Sequence, residues 1–422
     1  MRCSMPDPIL YHDADHTVVL IDVPTSIERA QQSNLILASV PPTKEPYPST
    51  EPRGNKREVA LSRIPAHDQT YHSSVQCLIR EALTKIAYSR VTPVDGQGGS
   101  WYRPRHYMIG GATSTDLVTL TARALQDGFL TPVSDAGGDG SSVLTSPVPV
   151  ILSSTELRTD FPSPRAVQNV VVRNPRPDTS LIFLHGVGAF WVPPHATFIQ
   201  STIESGWEAF ASGSRVLALR TPNFQLFDLI MMDPPWSNRS ARRSRHYNTA
   251  ESQKTDPFDA AVQIARNHLT SHGIVAVWIT NRAAIRKTVL DTFRALDFQL
   301  YQEWVWVKIT AEGDPVVQLD GIWRRPYEIC LLFQNRNCQG QCSDNKSESV
   351  VRRVLAAVPD LHSRKPNLKC LLEQHLPIPP HYEALELFAR SLTAGWWSWG
   401  DEVLKFQHES QWASPDLIQN NT

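Results

Sequence analysis

From about residue 181 the chain is written as short apolar runs separated by helical patterns, and that alternation constrains its fold more than any other feature. Runs of this kind, interleaved with stretches of three- and four-residue apolar spacing, mark a parallel sheet with helical crossovers. Strands are predicted at 196–202, 227–233, 273–281, 298–309, 327–334, 382–389 and 396–400, with helices at 257–270, 282–295 and 366–376. The runs EWVWVKI and YEICLLF, joined by an irregular segment with Gly313 and Pro315, read as an antiparallel hairpin at one sheet edge. The fold class that follows is α/β.

Residues 1–179 read differently. They are dotted with proline, and the stretches at 40–54 and 135–142 (DAGGDGSS) have loop or linker composition. Between these, 71–89 and 113–130 carry apolar residues at helical spacing, the second with Ser114 or Thr115 as a cap. The expected organisation is a smaller, partly helical N-terminal appendage at 1–179, a main domain at 180–412 and a tail at 413–422.

Composition narrows the class without naming it. A chain of 422 residues with 41% hydrophobic and 20% charged residues is ordinary for a soluble globular protein. The formal net charge of −1 does not argue for nucleic acid, although a basic footprint can be confined to one face. Cys3, Cys77, Cys330, Cys338, Cys342 and Cys370 are scattered and no basic-then-apolar leader opens the chain, so a reducing compartment, cytosol or nucleus, is expected. Apolar stretches such as 273–280 are too short to span a bilayer, so no membrane partner is expected. Cys338 and Cys342 form a single C-x3-C in a polar loop, with His362 or Cys330 as completing ligands; without a second pair this is a weak zinc signal, and no metal is expected.

The chemistry is concentrated in FDLIMMDPPW, residues 227–236, an apolar run that ends abruptly in Asp233, Pro234, Pro235 and Trp236. In an open α/β sheet, ligands bind beyond the carboxyl ends of the strands, where these four residues face the crevice. Two prolines fix the backbone and lack N–H groups, leaving a stiff loop with carbonyl acceptors. That suits a primary amine on a flat ring. The exocyclic amine of adenine is a weak nucleophile because its lone pair is delocalised, so a catalyst must hold its hydrogens on acceptors such as Asp233 and the Pro234 carbonyl. Trp236 supplies a surface on which an extruded base stacks. A strand ending in an ordinary turn is the bland alternative for the same four letters.

With these residues stand DPPWSNRSARRSRHY (233–247), VAVWITNR (275–282), EWVWVKIT (303–310), RRPYEI (324–329), PDLHSRKP (359–366), YEALELFAR (382–390) and GWWSWGDEVLKFQH (395–408). In these motifs, over residues 192–408, the sequence resembles the eukaryotic mRNA adenosine N6-methyltransferases, and most closely their methyltransferase-like four branch. The resemblance implies a Rossmann-like methyltransferase fold with circularly permuted strand order, S-adenosyl-L-methionine as cofactor, and transfer of its methyl group to adenine N6. It also implies a cofactor turn at ELFAR, which explains the absence of G-x-G-x-x-G. Lys365 is implied to pair with the methionine carboxylate, Asp233 to contact the amino group as well as the base, and Glu386 and Arg390 to lie near the ribose and amino-acid part. Asp401 stands where the family has Asn after WG, and remains the ribose candidate because hydroxyls need an acceptor. Thr202 and Ile203 end the first strand of the domain, where relatives place an acid and an apolar residue around the cofactor adenine.

Plainer roles compete for several of these. Lys365 reads by itself as a solvated charge, Glu386 and Arg390 as an ion pair at a strand end, and Trp278, Trp304, Trp306 and Trp399 as core. After DPPW come Asn238, Arg239, Arg242, Arg243, Arg245 and Tyr247, a basic loop whose arginine forks match phosphate oxygens and stack on bases. The branch resemblance implies RNA, specifically 2′-O-methyladenosine in small nuclear RNA, with DNA adenine as the alternative, and a monomer in the nucleus or also the cytoplasm. A methyltransferase-fold RNA-binding subunit without chemistry is the other class; the intact DPPW and Lys365 favour the enzyme.

Overall fold

The longest apolar runs form strands because each supplies residues that are buried on both faces of a sheet. In the computed structural model, which describes residues 5–91, 99–107, 147–220, 226–236, 256–336 and 350–414, the main-domain strands run over Thr197–Gln200, Phe227–Met232, Leu269–Ile279, Phe298–Lys308, Tyr327–Asn335, Ala384–Leu387 and Trp397–Gly400. The anticipated helices are Pro257–His268, Ala283–Ala295 and Lys369–His375. The expected helix at 113–130, the linker at 135–142, the 238–247 loop, and Cys338 and Cys342 lie outside the described residues.

Two units divide the chain. One comprises Met1–Arg29, Ser39–Tyr107 and Ile274–Leu376. Its strands lie in the spatial order Ile9–His12, Val18–Ile21, Val351–Ala357, Phe298–Lys308, Tyr327–Asn335 and Leu269–Ile279. Val18–Ile21 runs parallel to Val351–Ala357 with Leu20 opposite Ala356, and Val351–Ala357 runs parallel to Phe298–Lys308 with Arg353 opposite Trp304. Phe298–Lys308 and Tyr327–Asn335 form the anticipated antiparallel pair, Trp304 facing Cys330. The pair is interior and not, as the sequence suggested, at a sheet edge, because Val351–Ala357 adds itself alongside Phe298–Lys308. That strand was not foreseen: Arg352 and Arg353 interrupt its apolar run. Arg353 is accommodated because its guanidinium donates to Gln302 Oε1 (3.2 Å) and the His16 carbonyl (2.6 Å).

Helix Ala66–Val91 buries Asp68, His72, Val75, Ile79, Ala82 and Ile86, a single stripe at helical spacing, and packs on Val18–Ile21 and Val351–Ala357. The stripe is apolar except in its first turns, where His72 enters a polar network. Its Nε2 accepts from Arg325 (2.8 Å) and its Nδ1 pairs with the Tyr327 hydroxyl (2.9 Å); Arg325 also donates to the Asn281 carbonyl (3.0 Å). Nearby, Glu303 is fully buried and bonded to the Tyr71 hydroxyl (2.9 Å), Arg286 (3.3 Å) and Arg352 (3.0 Å).

The second unit comprises Ala30–Ala38, Met108–Gly273 and Pro377–Thr422. Four of its strands are parallel in the order Phe227–Met232, Ala384–Leu387, Trp397–Gly400, Thr197–Gln200. The two strands that come last in the chain therefore lie between the two that come first. Val171–Arg173 continues this run antiparallel to Thr197–Gln200, and Arg158–Phe161, Ser180–Leu184 and Gly188–Val192 form a separate three-stranded sheet. Trp278, Trp304, Trp306 and Trp399 are all buried, as core residues. Among the described residues no helix is long and apolar enough to cross a membrane.

Candidate active site

Parallel strands present their carboxyl ends at one margin, and in the second unit that margin collects the residues singled out in the sequence. Met232 lies opposite Leu387, and the Asp233 N–H reaches the Leu387 carbonyl (3.4 Å), so the Asp-Pro-Pro-Trp segment leaves the sheet where ELFAR turns away. Pro234 is buried and Pro235 exposed. The Trp236 N–H donates to the Pro234 carbonyl (2.8 Å), which engages one of that oxygen's two lone pairs. The Trp236 ring rests against Phe258, with ring centres 5.1 Å apart. Phe258 is fixed in turn by helix Pro257–His268, whose first turn is capped by Asp256 accepting from the Phe258 N–H (2.9 Å).

Arg390 is the hub of the charged groups. It lies 3.6 Å from Asp233 Oδ2, donates through Nε to Glu402 (3.1 Å), and Glu402 also holds Lys405 (2.9 Å). Signs alternate along Asp233, Arg390, Glu402 and Lys405, all part-buried, so each charge has an opposite neighbour. The chain reaches this arrangement through Phe388, whose φ of +61° is a left-handed conformation that aromatic residues rarely adopt. Such an outlier at a strand end is characteristic of functional sites. Just beyond it the Ala389 N–H donates to the Trp399 carbonyl (3.1 Å), and a side chain at Gly400 would collide with the Ala389 carbonyl oxygen. The ion pair weighed between Glu386 and Arg390 is replaced by the pairs with Asp233 and Glu402; Glu386 sits within its strand, between Met231 and Ser398.

Glu402 and Lys405 were missed in the sequence, though GDEVLK follows directly on the last strand. Asp401, beside them, is open to solvent, yet its carboxyl titrates above the usual range, first because surrounding protein removes hydration and then because Glu402 carries like charge. Its carbonyl accepts from Gln200 Nε2 (2.5 Å), while Gln200 Oε1 is buried without a hydrogen-bond partner. Thr202 and Ile203 follow the Thr197–Gln200 strand in a turn; Thr202 Oγ1 accepts from the Ser205 N–H (3.2 Å) and Ile203 is buried.

Lys365 belongs to the other unit and is not a solvated charge. Its Nζ lies 2.5 Å from Glu328 Oε2 and 4.5 Å from the centre of the Trp278 ring. Lys308 holds the second oxygen of Glu328 at 2.6 Å and lies over Trp306. Burial by itself would raise the Glu328 carboxyl, but the Lys365 and Lys308 ammoniums outweigh it and hold the group down at about 2. The Glu328 carboxylate is thus shared between two ammoniums. Glu328, in RRPYE, is a further residue the sequence reading did not single out.

These groups fit S-adenosylmethionine. Within the second unit Asp233 offers an acceptor to its amino group, Asp401 and the unpartnered Gln200 Oε1 offer acceptors to the ribose hydroxyls, and buried Ile203 offers an apolar wall to adenine. In the second unit the order of strands, with the last two inserted between the first two, is that of a Rossmann-like methyltransferase fold in permuted chain order, here accompanied by extra elements.

The comparisons agree. Residues 227–402 match the family MT-A70. The N6-methyladenosine RNA methyltransferase MTA1 of Cryphonectria parasitica is 33% identical over 408 residues, covering 96% of this chain and 94% of that protein. The N(6)-adenine-specific methyltransferase METTL4 of Homo sapiens is 30% identical over 68% of this chain and 63% of its own length. A protein of Caenorhabditis elegans described as a DNA N6-methyl methyltransferase is 35% identical over 52% of this chain and 54% of its own length. The chain belongs to the MT-A70 family and is an S-adenosylmethionine-dependent N6-adenine methyltransferase of nucleic acid.

Proposed function

We propose that the polymer is RNA. What carries the reading is the match along nearly the whole chain, 96% of this protein and 94% of the relative, to an enzyme described as acting on RNA, whereas the relative described as acting on DNA aligns with 52%. The narrower substrate, 2′-O-methyladenosine in small nuclear RNA, follows from the branch resemblance in the motifs at 233–247 and 395–408, as do action as a single chain and residence in the nucleus.

When bound, S-adenosylmethionine supplies a methyl group on a positively charged sulfur. The residues of this chain do the rest by position and charge. Asp233 accepts one N6 hydrogen and the remaining lone pair of the Pro234 carbonyl accepts the other, which localises the nitrogen lone pair toward the incoming methyl group. Arg390, 3.6 Å away, orients Asp233. Pro235 stiffens the loop, and Trp236, braced by Phe258, bears on the face of the base. Asn238, Arg239, Arg242, Arg243, Arg245 and Tyr247 hold the flanking strand. Thr202, Ile203, Lys365, Glu386, Arg390 and Asp401 bind the cofactor.

Methyl transfer from labelled cofactor to matched RNA and DNA oligonucleotides, with and without a 2′-O-methyl on the target nucleotide, tests the proposal. Faster transfer to RNA is expected, and fastest to the 2′-O-methylated form. Equal or faster transfer to DNA overturns the RNA reading; indifference to the 2′-O-methyl overturns the narrower one.

A further inference from the structure

We infer that Trp323, on a loop strapped down by Glu51, is a stacking platform for an unpaired base of the substrate strand. The inference rests on the reading of a single-stranded nucleic-acid substrate. Trp323 is 64% exposed, and its indole makes no hydrogen bond or ring contact among the described residues. An aromatic side chain so open gains nothing from the core.

The loop that presents it is held firmly. The Glu51 carboxylate accepts three consecutive backbone N–H groups, from Ile322 (2.6 Å), Trp323 (3.1 Å) and Arg324 (3.0 Å). Successive N–H groups converging on one anion form a nest, which fixes the backbone that carries them. Gly321 has no room for a side chain, which would meet the Arg324 carbonyl. Flanking ties extend the strap: the Tyr47 N–H donates to the Val316 carbonyl (2.8 Å), and Arg57 donates to the Asp320 carbonyl (3.0 Å) and carboxylate (2.9 Å). A rigid ring facing solvent loses little entropy on stacking.

Charge selects the occupant. Trp323 is followed by exposed Arg324, and the strap carries exposed Arg53 and Lys56 on either side of Gly54. Asp320 is paired with Arg57 and the Glu51 carboxylate is engaged by three N–H groups, so the exposed Arg53, Lys56 and Arg324 outnumber the exposed Glu58 on this stretch. A lone aromatic among charges is a poor centre for a protein interface, whose core is depleted in charge, but it matches a base and its phosphates. Trp323 precedes Glu328, the partner of Lys365, by five residues, at most about 18 Å of extended chain.

The test uses the full-length protein and a fluorescein-labelled single-stranded RNA of twelve nucleotides containing one adenosine, with a DNA copy alongside. Trp323→Ala is expected to raise Kd and KM about tenfold with kcat within about twofold, and Trp323→Phe to restore most of the affinity. An abasic nucleotide at one flanking position should abolish the difference between wild type and Trp323→Ala. Glu51→Ala, which frees the loop, should weaken binding in the same direction. The same Trp323 effect on the DNA copy alone would sink the RNA reading and leave the platform standing. Unchanged Kd and KM on both polymers overturns the platform, whatever the transfer assay says. Unchanged binding together with a self-association that Trp323→Ala abolishes also overturns it, making the ring a contact for a second copy.

Discussion

Asp233 faces Arg390 within its own unit while being assigned to the base and to the cofactor amino group, so its charge has three claims on it. Its replacement by Ala should lower turnover by about 10²–10³ at unchanged thermal stability, the usual loss when a preorganised electrostatic group is removed from a reaction centre. Near-normal single-turnover rates would assign the amine to other acceptors. Lys365 makes a different prediction, because Lys308 still neutralises Glu328 when Lys365 is gone. Lys365→Ala should weaken S-adenosylhomocysteine binding about tenfold, as the loss of a charge-assisted hydrogen bond does, and leave RNA affinity in place. Calorimetry with the product and a separate RNA titration read the two effects independently; equal weakening of both would remove Lys365 from the cofactor.

Elements set what these residues reach. The strand Trp397–Gly400 ends against the Ala389 backbone, so Gly400→Ala must push apart the two turns that carry Arg390 and Glu402. A loss of about 1–3 kcal/mol is expected from such overpacking, seen as a lower Tm with weaker cofactor binding. A Gly400→Ala protein with wild-type Tm would mean that the turns yield without cost. In the other unit, helix Ala66–Val91 is tied through His72, which burial first, and then the charges of Arg325 and Arg286, hold down at about 3. The folded protein keeps this imidazole neutral below pH 6.5 while the unfolded chain takes up a proton, so stability falls as pH drops from about 6.5 toward 3, by at most ~1.4 kcal/mol per pH unit. His72→Gln should remove that slope from the pH dependence of chemical denaturation. An identical slope in the two proteins would show that His72 is protonated in the folded state.

Across the whole molecule the net charge of −1 gives no general attraction for a polyanion, so any salt dependence of RNA binding must come from local clusters. If Arg242, Arg243 and Arg245 bind phosphates, replacing all three with alanine should raise Kd and flatten the log–log salt slope by about 0.7 for each phosphate of a single strand that is no longer neutralised. Cofactor affinity should not change. A triple variant with wild-type slope would move the footprint elsewhere, the Trp323 loop with Arg53, Lys56 and Arg324 being the next place to look.

The main-domain strands, the exit of Asp233–Trp236 from a strand end and the core character of the tryptophans were legible in the sequence because each is local: side-chain period and turn chemistry are written in consecutive residues. Motif resemblance added Lys365, Arg390 and Asp401, but not what they touch. Only the tertiary structure paired Arg390 with Asp233 and Glu402 instead of Glu386, gave Lys365 the Glu328 carboxylate, and brought Val18–Ile21 alongside Val351–Ala357. Parallel neighbours such as Val18–Ile21 and Val351–Ala357 lie hundreds of residues apart in the chain, and a charged residue inside a strand, such as Arg353, hides the pattern until its partners are known. Apolar spacing tells which residues must leave water; which groups then meet is settled by the order of the strands, since that order alone determines which strand ends share a margin.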